Sequence, residues 1–339
     1  MSLSDLSVPL DTAAMEAKLV DEVPRGPGWR YEPKWDGFRC LAFRAGDAVE
    51  LRAKSGKPLG RYFPDVVAAL QALPVDRFVV DGELTIAVDG ESSFEALQMR
   101  LHPAASRVWK LAAEHPANLV LFDCLMDAKG CSLLDAPLRR RRAELEALYR
   151  RMGEPVALRL SPGTEDRKEA CAWLSEVGSD LDGVVAKRLD AAYAPGERTM
   201  LKIKRMRTAD CVVGGFRYEQ GGRDVGSLLL GLYDVRGRLD HVGFTANIPR
   251  SERAELARRL EALAGGSGFT GNAPGGPSRW SRERSGEWTP LRPELVVEVR
   301  YDHVTGDRFR HGTSFLRWRP DKDPRQCTFD QLGREGGIA

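Results

Sequence analysis

Apolar positions recur along this chain in two rhythms, and the change between them divides it. Up to about residue 208, short apolar runs alternate with helical stripes. Residues 1–28 read as an irregular lead-in. Segments 29–32, 38–43 and 49–52 predict strands, the first two flanking a turn at Lys34. Segment 64–73 predicts a short helix, because Val66, Val67, Leu70 and Leu73 share one face. Apolar runs at 78–80 and 119–122 predict strands that end at Asp81 and Asp123. Segment 138–151 predicts a helix that buries Leu145 and Leu148 and leaves the run from Arg139 to Arg142 solvated. Segments 181–187 and 200–204 predict two more strands.

Beyond residue 208 the pattern becomes strands separated by glycine-containing turns, at 211–218, 227–235, 239–246, 295–301 and 314–319. One helix, from about Ser251 to Gly265, interrupts them. Five strands with one helix predict a small closed barrel of the OB-fold kind. The Gly/Ser/Pro-rich stretch 265–286 reads as a mobile loop. Gly266, Gly268 and Gly271 there satisfy G-x-G-x-x-G, but a dinucleotide fingerprint follows a strand and opens a helix, and this one follows a helix.

Composition changes this picture little. The chain has 339 residues, 42% hydrophobic and 29% charged, with a net charge of +2, an ordinary globular balance long enough for two domains. Residues 201–339 carry 24 basic against 18 acidic side chains, a mild pointer to a polyanionic partner. The six cysteines form no C-x-x-C pair, which argues against a zinc finger and for a reducing compartment. Neither a signal peptide nor a membrane span is expected, so the expected location is the cytoplasm.

The candidate chemistry starts at Glu32-Pro33-Lys34-Trp35-Asp36-Gly37-Phe38-Arg39, which reads E-x-K-x-D-G-x-R. A lysine attacks only as the neutral amine, and its ordinary pKa is about 10.4, so a nucleophilic lysine needs surroundings that favour that form. The octet resembles the nucleotidyl-transfer motif shared by ATP-dependent DNA ligases, RNA ligases and mRNA capping enzymes. There the lysine attacks the α-phosphate of a nucleotide and carries the nucleoside monophosphate as a phosphoramidate.

Further elements follow in that superfamily's order. Leu51-Arg52-Ala53-Lys54-Ser55-Gly56 resembles a Ser-Arg-x-Gly motif, with Lys54 at the arginine position, which keeps the cation and loses the planar fork. Asp81-Gly82-Glu83 places Glu83 where the family uses a carboxylate on the ribose or the metal. Phe122 matches the aromatic that stacks on adenine. Leu181-Asp182-Gly183-Val184-Val185-Ala186-Lys187 resembles E-G-x-V-x-K, with the shorter Asp182 as a metal ligand. In Met200-Leu201-Lys202-Ile203-Lys204, period-two geometry puts Lys202 and Lys204 on one face. Two adjacent ammonium groups suit a polyphosphate and favour the neutral form of a neighbouring amine. Arg317-Trp318-Arg319-Pro320-Asp321-Lys322 carries R-x-D-K, which in the family orients the leaving pyrophosphate through Arg319 and Lys322. With Glu32 and Arg39 of the octet, these complete the expected nucleotide site.

The strings 29–39 and 59–64 look like the small bacterial ATP-dependent DNA ligases of the ligase C type, and the resemblance spans about residues 29–322. It implies an α+β architecture, with an adenylation (nucleotidyltransferase) domain of antiparallel sheets and helices over 1–208. An OB-fold DNA-binding domain over 209–339 follows. It implies ATP and a divalent cation, Mg2+ or Mn2+, as cofactors and nicked duplex DNA as substrate. A repair polymerase or end-binding proteins are the implied partners of a monomer. The short lead-in leaves no room for a large helical DNA-binding domain before Lys34. An RNA ligase or a capping guanylyltransferase would share the lysine chemistry. A non-catalytic nucleic-acid-binding barrel would show no covalent labelling.

Overall fold

The computed structural model describes residues 2–175, 181–219, 221–248, 253–275 and 287–332. They form two compact units, Met1–Arg205 and Met206–Ala339.

Unit 1 holds strands β1 (Ala17–Leu19), β2 (Trp29–Trp35), β3 (Phe38–Ala45), β4 (Ala48–Ala53), β5 (Arg77–Val88), β6 (Glu91–Ser92), β7 (Ala117–Met126), β8 (Leu158–Leu160), β9 (Leu181–Arg188) and β10 (Met200–Ile203). One sheet runs β1-β10-β9-β2 and the other β4-β3-β5-β7-β8, with β6 on β5. Most pairs are antiparallel; β1 with β10 and β7 with β8 are parallel. The central strands β3, β5 and β7 of the larger sheet pack against a core on each face, which is why long stretches of them read as apolar. Cys40 and Ala42 of β3 pack in the core with α1 (Pro64–Gln71) and α4 (Leu138–Arg151). Their alternates Leu41 and Phe43 face Val8, Met15, Tyr193 and Met200.

Several boundaries differ from expectation. Lys34 lies in β2, and only Asp36 and Gly37 make the turn. Asp81-Gly82-Glu83 sits inside β5, not at a strand end, with ladders to β3 and β7 on both sides, and Phe122 sits inside β7 at a bulge that the β5 register skips, its carbonyl accepting from Lys187 Nζ. The lead-in is anchored: Leu6, Val8 and Met15 are buried and β1 pairs with β10. Arg139 and Arg140 are exposed, but Arg141 and Arg142 are buried. Arg141 donates to both oxygens of buried Asp123, at 2.8 and 3.2 Å, and to the Ala136 and Ala191 carbonyls. A guanidinium is buried only when its donors are matched in this way. Helices α2 (Phe94–Arg100), α3 (Ala105–Glu114) and α5 (Arg167–Ser175) also lie outside the sequence reading.

Unit 2 holds β11 (Arg207–Tyr218), β12 (Val225–Tyr233), β13 (Leu239–Thr245), α6 (Arg253–Glu261), β14 (Thr289–Pro290), β15 (Val296–Tyr301), β16 (Val304–Thr305), β17 (Arg308–Phe309) and β18 (Ser314–Trp318). The main sheet runs β13-β12-β11-β15-β18. Register shifts mark the β11–β12, β12–β13 and β15–β18 pairs, and bulges of this kind bend a sheet toward a barrel. The expected closed barrel is not completed by a ladder. Among the described residues, the end of β13 and the residue before β18 meet at one isolated bridge, Thr245 to Thr313, reinforced by the Thr245 hydroxyl donating to the Thr313 carbonyl. Leu260 of α6 is fully buried in the core of this unit. The glycine run 266–271 opens no helix. Of the expected loop 265–286, the part 276–286 lies outside the described residues.

Candidate nucleotide site

Strands of both sheets of unit 1 line a cleft open to solvent. Glu32, Lys34, Arg39, Lys54, Glu83, Phe122 and Lys202 all reach it, from segments far apart in the chain.

Lys34 enters the cleft where the β2–β9 pairing slips. Pro33 faces Val184 but Trp35 faces Leu181, so β9 carries an extra residue at Asp182 and Gly183. A bulge of this kind re-aims a side chain. Asp182 Oδ2 lies 2.6 Å from Lys34 Nζ and 3.2 Å from Lys204 Nζ. Burial alone would raise the Asp182 carboxyl, but Lys34 and Lys204 outweigh it and lower its pKa. Gly37 and Gly183 are required by close approach. A Cβ on Gly37 would strike the Leu84 carbonyl, and one on Gly183, at φ +136°, the Ile203 carbonyl.

Lys204 lies just past β10, so it and Lys202 do not share one regular strand face. Lys204 holds Asp182 while Lys202 lines the cleft. Burial, then the charges of Lys204 and Lys34, lower the pKa of Lys202.

Glu32 is buried between Arg30 Nε, at 3.2 Å, and Lys187 Nζ, at 2.7 Å. Lys187 also lies 4.7 Å from the centroid of the Phe122 ring and donates to the Phe122 carbonyl at 3.4 Å. The Arg39 guanidinium lies 4.7 Å from the same centroid. Phe122 is thus ringed by cations at the cleft wall, and only 9% of its surface is exposed. Arg39 is fixed by Asp81, with Nε to Oδ1 at 2.5 Å and Nη2 to Oδ2 at 2.6 Å, a bidentate pair. Lys54, largely exposed, pairs with Glu16 at 3.0 Å, and Arg198 reaches the same carboxylate oxygen at 3.4 Å. The hydrogen bond from Lys54 lowers the Glu16 pKa.

Glu83 is half-buried in the cleft. Burial pushes its carboxyl up to about 7, against the pull of Arg39 and Lys34. It is therefore a carboxylate short of compensating charge. Among the described residues no group of three His, Cys, Asp or Glu gathers to hold a metal. A divalent ion of the Mg2+ kind needs only one or two protein carboxylates beside phosphate and water oxygens, so the donor chemistry of Glu83 and Asp182 fits it.

Arg319 and Lys322 belong to unit 2. Arg319 Nη1 lies 2.9 Å from Asp210 Oδ1, and Nη2 lies 2.9 Å from Asp321 Oδ2. Lys322 Nζ is 3.2 Å from Asp210 Oδ2. The hydrogen bond from Arg319 brings the Asp321 carboxyl down to about 2.

The sequence reading gave no role to Glu16, Asp81, Lys187 or Tyr193. Lys187 could have been found from its period-two spacing to Val185, which also lines the cleft. Nothing local marks Glu16.

Comparison with known proteins identifies the family. Residues 13–204 match the family described as ATP dependent DNA ligase domain, and residues 221–322 match ATP dependent DNA ligase C terminal region. The chain is 46% identical to DNA ligase C2 of Mycolicibacterium smegmatis, covering 97% of this chain and 96% of that one. It is 44% identical to DNA ligase C of Mycobacterium tuberculosis, over 94% and 93% of the two chains. Among solved structures, the ligase domain of M. tuberculosis LigD matches with a TM-score of 0.50 at 29% identity, covering 94% of this chain and 98% of that one. A Lig E DNA ligase matches in fold alone, with a TM-score of 0.59 at 17% identity, over 91% and 99%. Domain matches across both units and near-full-length identity to named ligases place the chain in one family: it belongs to the ATP-dependent DNA ligases.

Proposed function

We propose that this ligase seals nicks in duplex DNA through an AMP carried on Lys34. The observation that carries the reading is the convergence of Lys34 and Lys204 on Asp182 beside a charged cleft lined by Lys202 and walled by Phe122. Lys34 Nζ displaces pyrophosphate from the α-phosphate of ATP and forms the phosphoramidate. The AMP then passes to the 5′-phosphate at a nick, and the 3′-hydroxyl displaces it to close the backbone. Each step is a phosphoryl-type displacement, in which neutralising the developing charge gives most of the help.

Lys202, Lys204 and Lys54 supply positive charge toward the phosphates. Phe122 stacks on the base, while Glu32, Arg39 and Glu83 hold the nucleoside. Glu83 and Asp182 would hold the divalent cation, Mg2+ by preference, which neutralises phosphate charge when bound. Arg319 and Lys322 orient the leaving pyrophosphate. Unit 1 is the adenylation domain and unit 2 the OB-fold domain that grips DNA. The protein acts as a monomer in the cytoplasm, alongside a repair polymerase or end-binding proteins. No helix among the described residues is long and apolar enough to cross a membrane.

The test is incubation with α-labelled ATP and Mg2+, followed by a nicked duplex. Covalent label on the protein that chases into sealed DNA is the expected result. Absence of label on the folded protein would end the proposal.

A further inference from the structure

A closed hydrogen-bond ring lies behind the cleft wall. Arg39 donates twice to Asp81 and once, through Nη2 at 3.1 Å, to the Met15 carbonyl. The Met15 amide donates to the Tyr193 hydroxyl at 2.9 Å, and that hydroxyl donates to Asp81 Oδ2 at 2.6 Å. Asp81 is fully buried, so every lone pair it points inward needs a donor. Tyr193 is itself pinned. Its amide donates to the Leu134 carbonyl at 2.9 Å, and the Arg141 guanidinium stands 5.7 Å from its ring centroid.

We propose that Tyr193 is a positioning residue for the nucleotide site: its hydroxyl orients Asp81, and Asp81 aims Arg39 across the Phe122 ring. Arg39 has a long side chain with several rotamers, and its place 4.7 Å over Phe122 is set by the carboxylate behind it. Burial and the Asp81 charge hold the Tyr193 phenol well above its ordinary value, so it remains a donor across the working pH range. The Met15 segment joins the ring and also lines the cleft, so the same hydroxyl orders two walls at once.

The inference rests on reading the cleft as the ATP site, and the experiment separates the two. The initial rate of self-adenylylation is measured against ATP concentration for the unaltered protein, Tyr193→Phe and Tyr149→Phe. Tyr149 donates to the Leu158 carbonyl on another part of unit 1 and serves as a structural control. Tyr193→Phe is expected to raise KM for ATP roughly tenfold, the effect of losing one hydrogen bond to a charged group, with near-normal labelling at saturating ATP. Tyr149→Phe should leave KM unchanged even where it lowers the melting temperature. In an Arg39→Lys background, Tyr193→Phe should add nothing further to KM, because it acts through the arginine. A normal KM in folded Tyr193→Phe, or independent effects in the double variant, overturns the inference while ATP labelling still supports the site. Should Tyr193→Phe fail to fold, Asp81→Asn gives the same reading, and an unchanged KM there overturns it too. No label on the unaltered protein removes both.

Discussion

In unit 1, Lys34 and Lys204 converge on one carboxylate, Asp182; in unit 2, Arg319 and Lys322 converge on one carboxylate, Asp210. The two clusters look alike on paper and differ in surroundings. Around Asp182 the balance is cationic: Lys202 adds a third ammonium, and burial, then the charges of Lys204 and Lys34, lower its pKa. Around Asp210 the charges cancel, since Asp321 takes the other edge of the Arg319 guanidinium and Glu298, itself paired with Arg317, lies 4.0 Å from Arg319. The first cluster is arranged to receive an anion. The second is internally neutralised and must exchange partners before it can meet one. Two cations on one aspartate therefore say little until the surplus charge around them is counted.

The largest effect should come from the first cluster. Lys34→Ala removes the amine proposed to form the phosphoramidate, so self-adenylylation and sealing of ordinary nicks should both disappear. Lys34→Arg should fail as well, because a guanidinium stays protonated. Label on either purified variant would reassign the nucleophile.

Next comes the second cluster. The Arg319→Ala, Lys322→Ala double variant should lose on the order of a hundredfold in self-adenylylation, from two charge-assisted contacts. It should still seal a nick that already carries a 5′-adenylate. Equal loss in the two assays, with folding intact, would mean that both clusters serve chemistry common to all steps. DNA binding by either form should fall steeply with salt.

Phe122→Ala should weaken ATP use by about 1–3 kcal/mol, the usual worth of stacking one base on an aromatic ring. Phe122→Tyr should cost much less. Thermal unfolding of the alanine variant with no change in ATP affinity of the folded fraction would make Phe122 a packing residue.

The smallest effect is on acid stability, and it belongs to unit 2. His241 is buried, with Arg308 Nη2 2.5 Å from Nδ1, and burial followed by that positive charge pulls its pKa down to about 3. The unfolded chain protonates this ring near pH 6.5 and the folded chain does not. Folding stability should therefore fall as pH drops from about 6.5 toward 3. His241→Phe should flatten that part of the melting-temperature profile. A profile identical to that of the unaltered protein would show that other groups set it.

Much of unit 1's chemistry is legible in the chain. Three Asp-Gly pairs mark the site at 36–37, 81–82 and 182–183. Gly37 and Gly183 are readable because each is the only residue that admits a neighbouring strand's carbonyl. Glu16 and Tyr193 are not readable, because each acts on a partner brought near only by folding: Glu16 on Lys54, and Tyr193 on Asp81. The charge run from Arg139 to Arg142 misleads for the same reason. Local pattern predicts four solvated arginines, while Asp123 on a distant strand draws Arg141 into the core.

By itself the sequence determined the period-two and helical stripes, the order of the motif residues and the residue types able to do nucleotidyl transfer. These are short-range properties, set by backbone geometry and side-chain chemistry within a few positions. Tertiary structure decided which cations share a carboxylate and where a bulge in β9 turns Asp182 toward Lys34. It also decided that, among the described residues, one bridge and not a full ladder joins the edges of the unit 2 sheet. Those outcomes depend on strand register and on burial, which shifts charge energies by amounts no local pattern records.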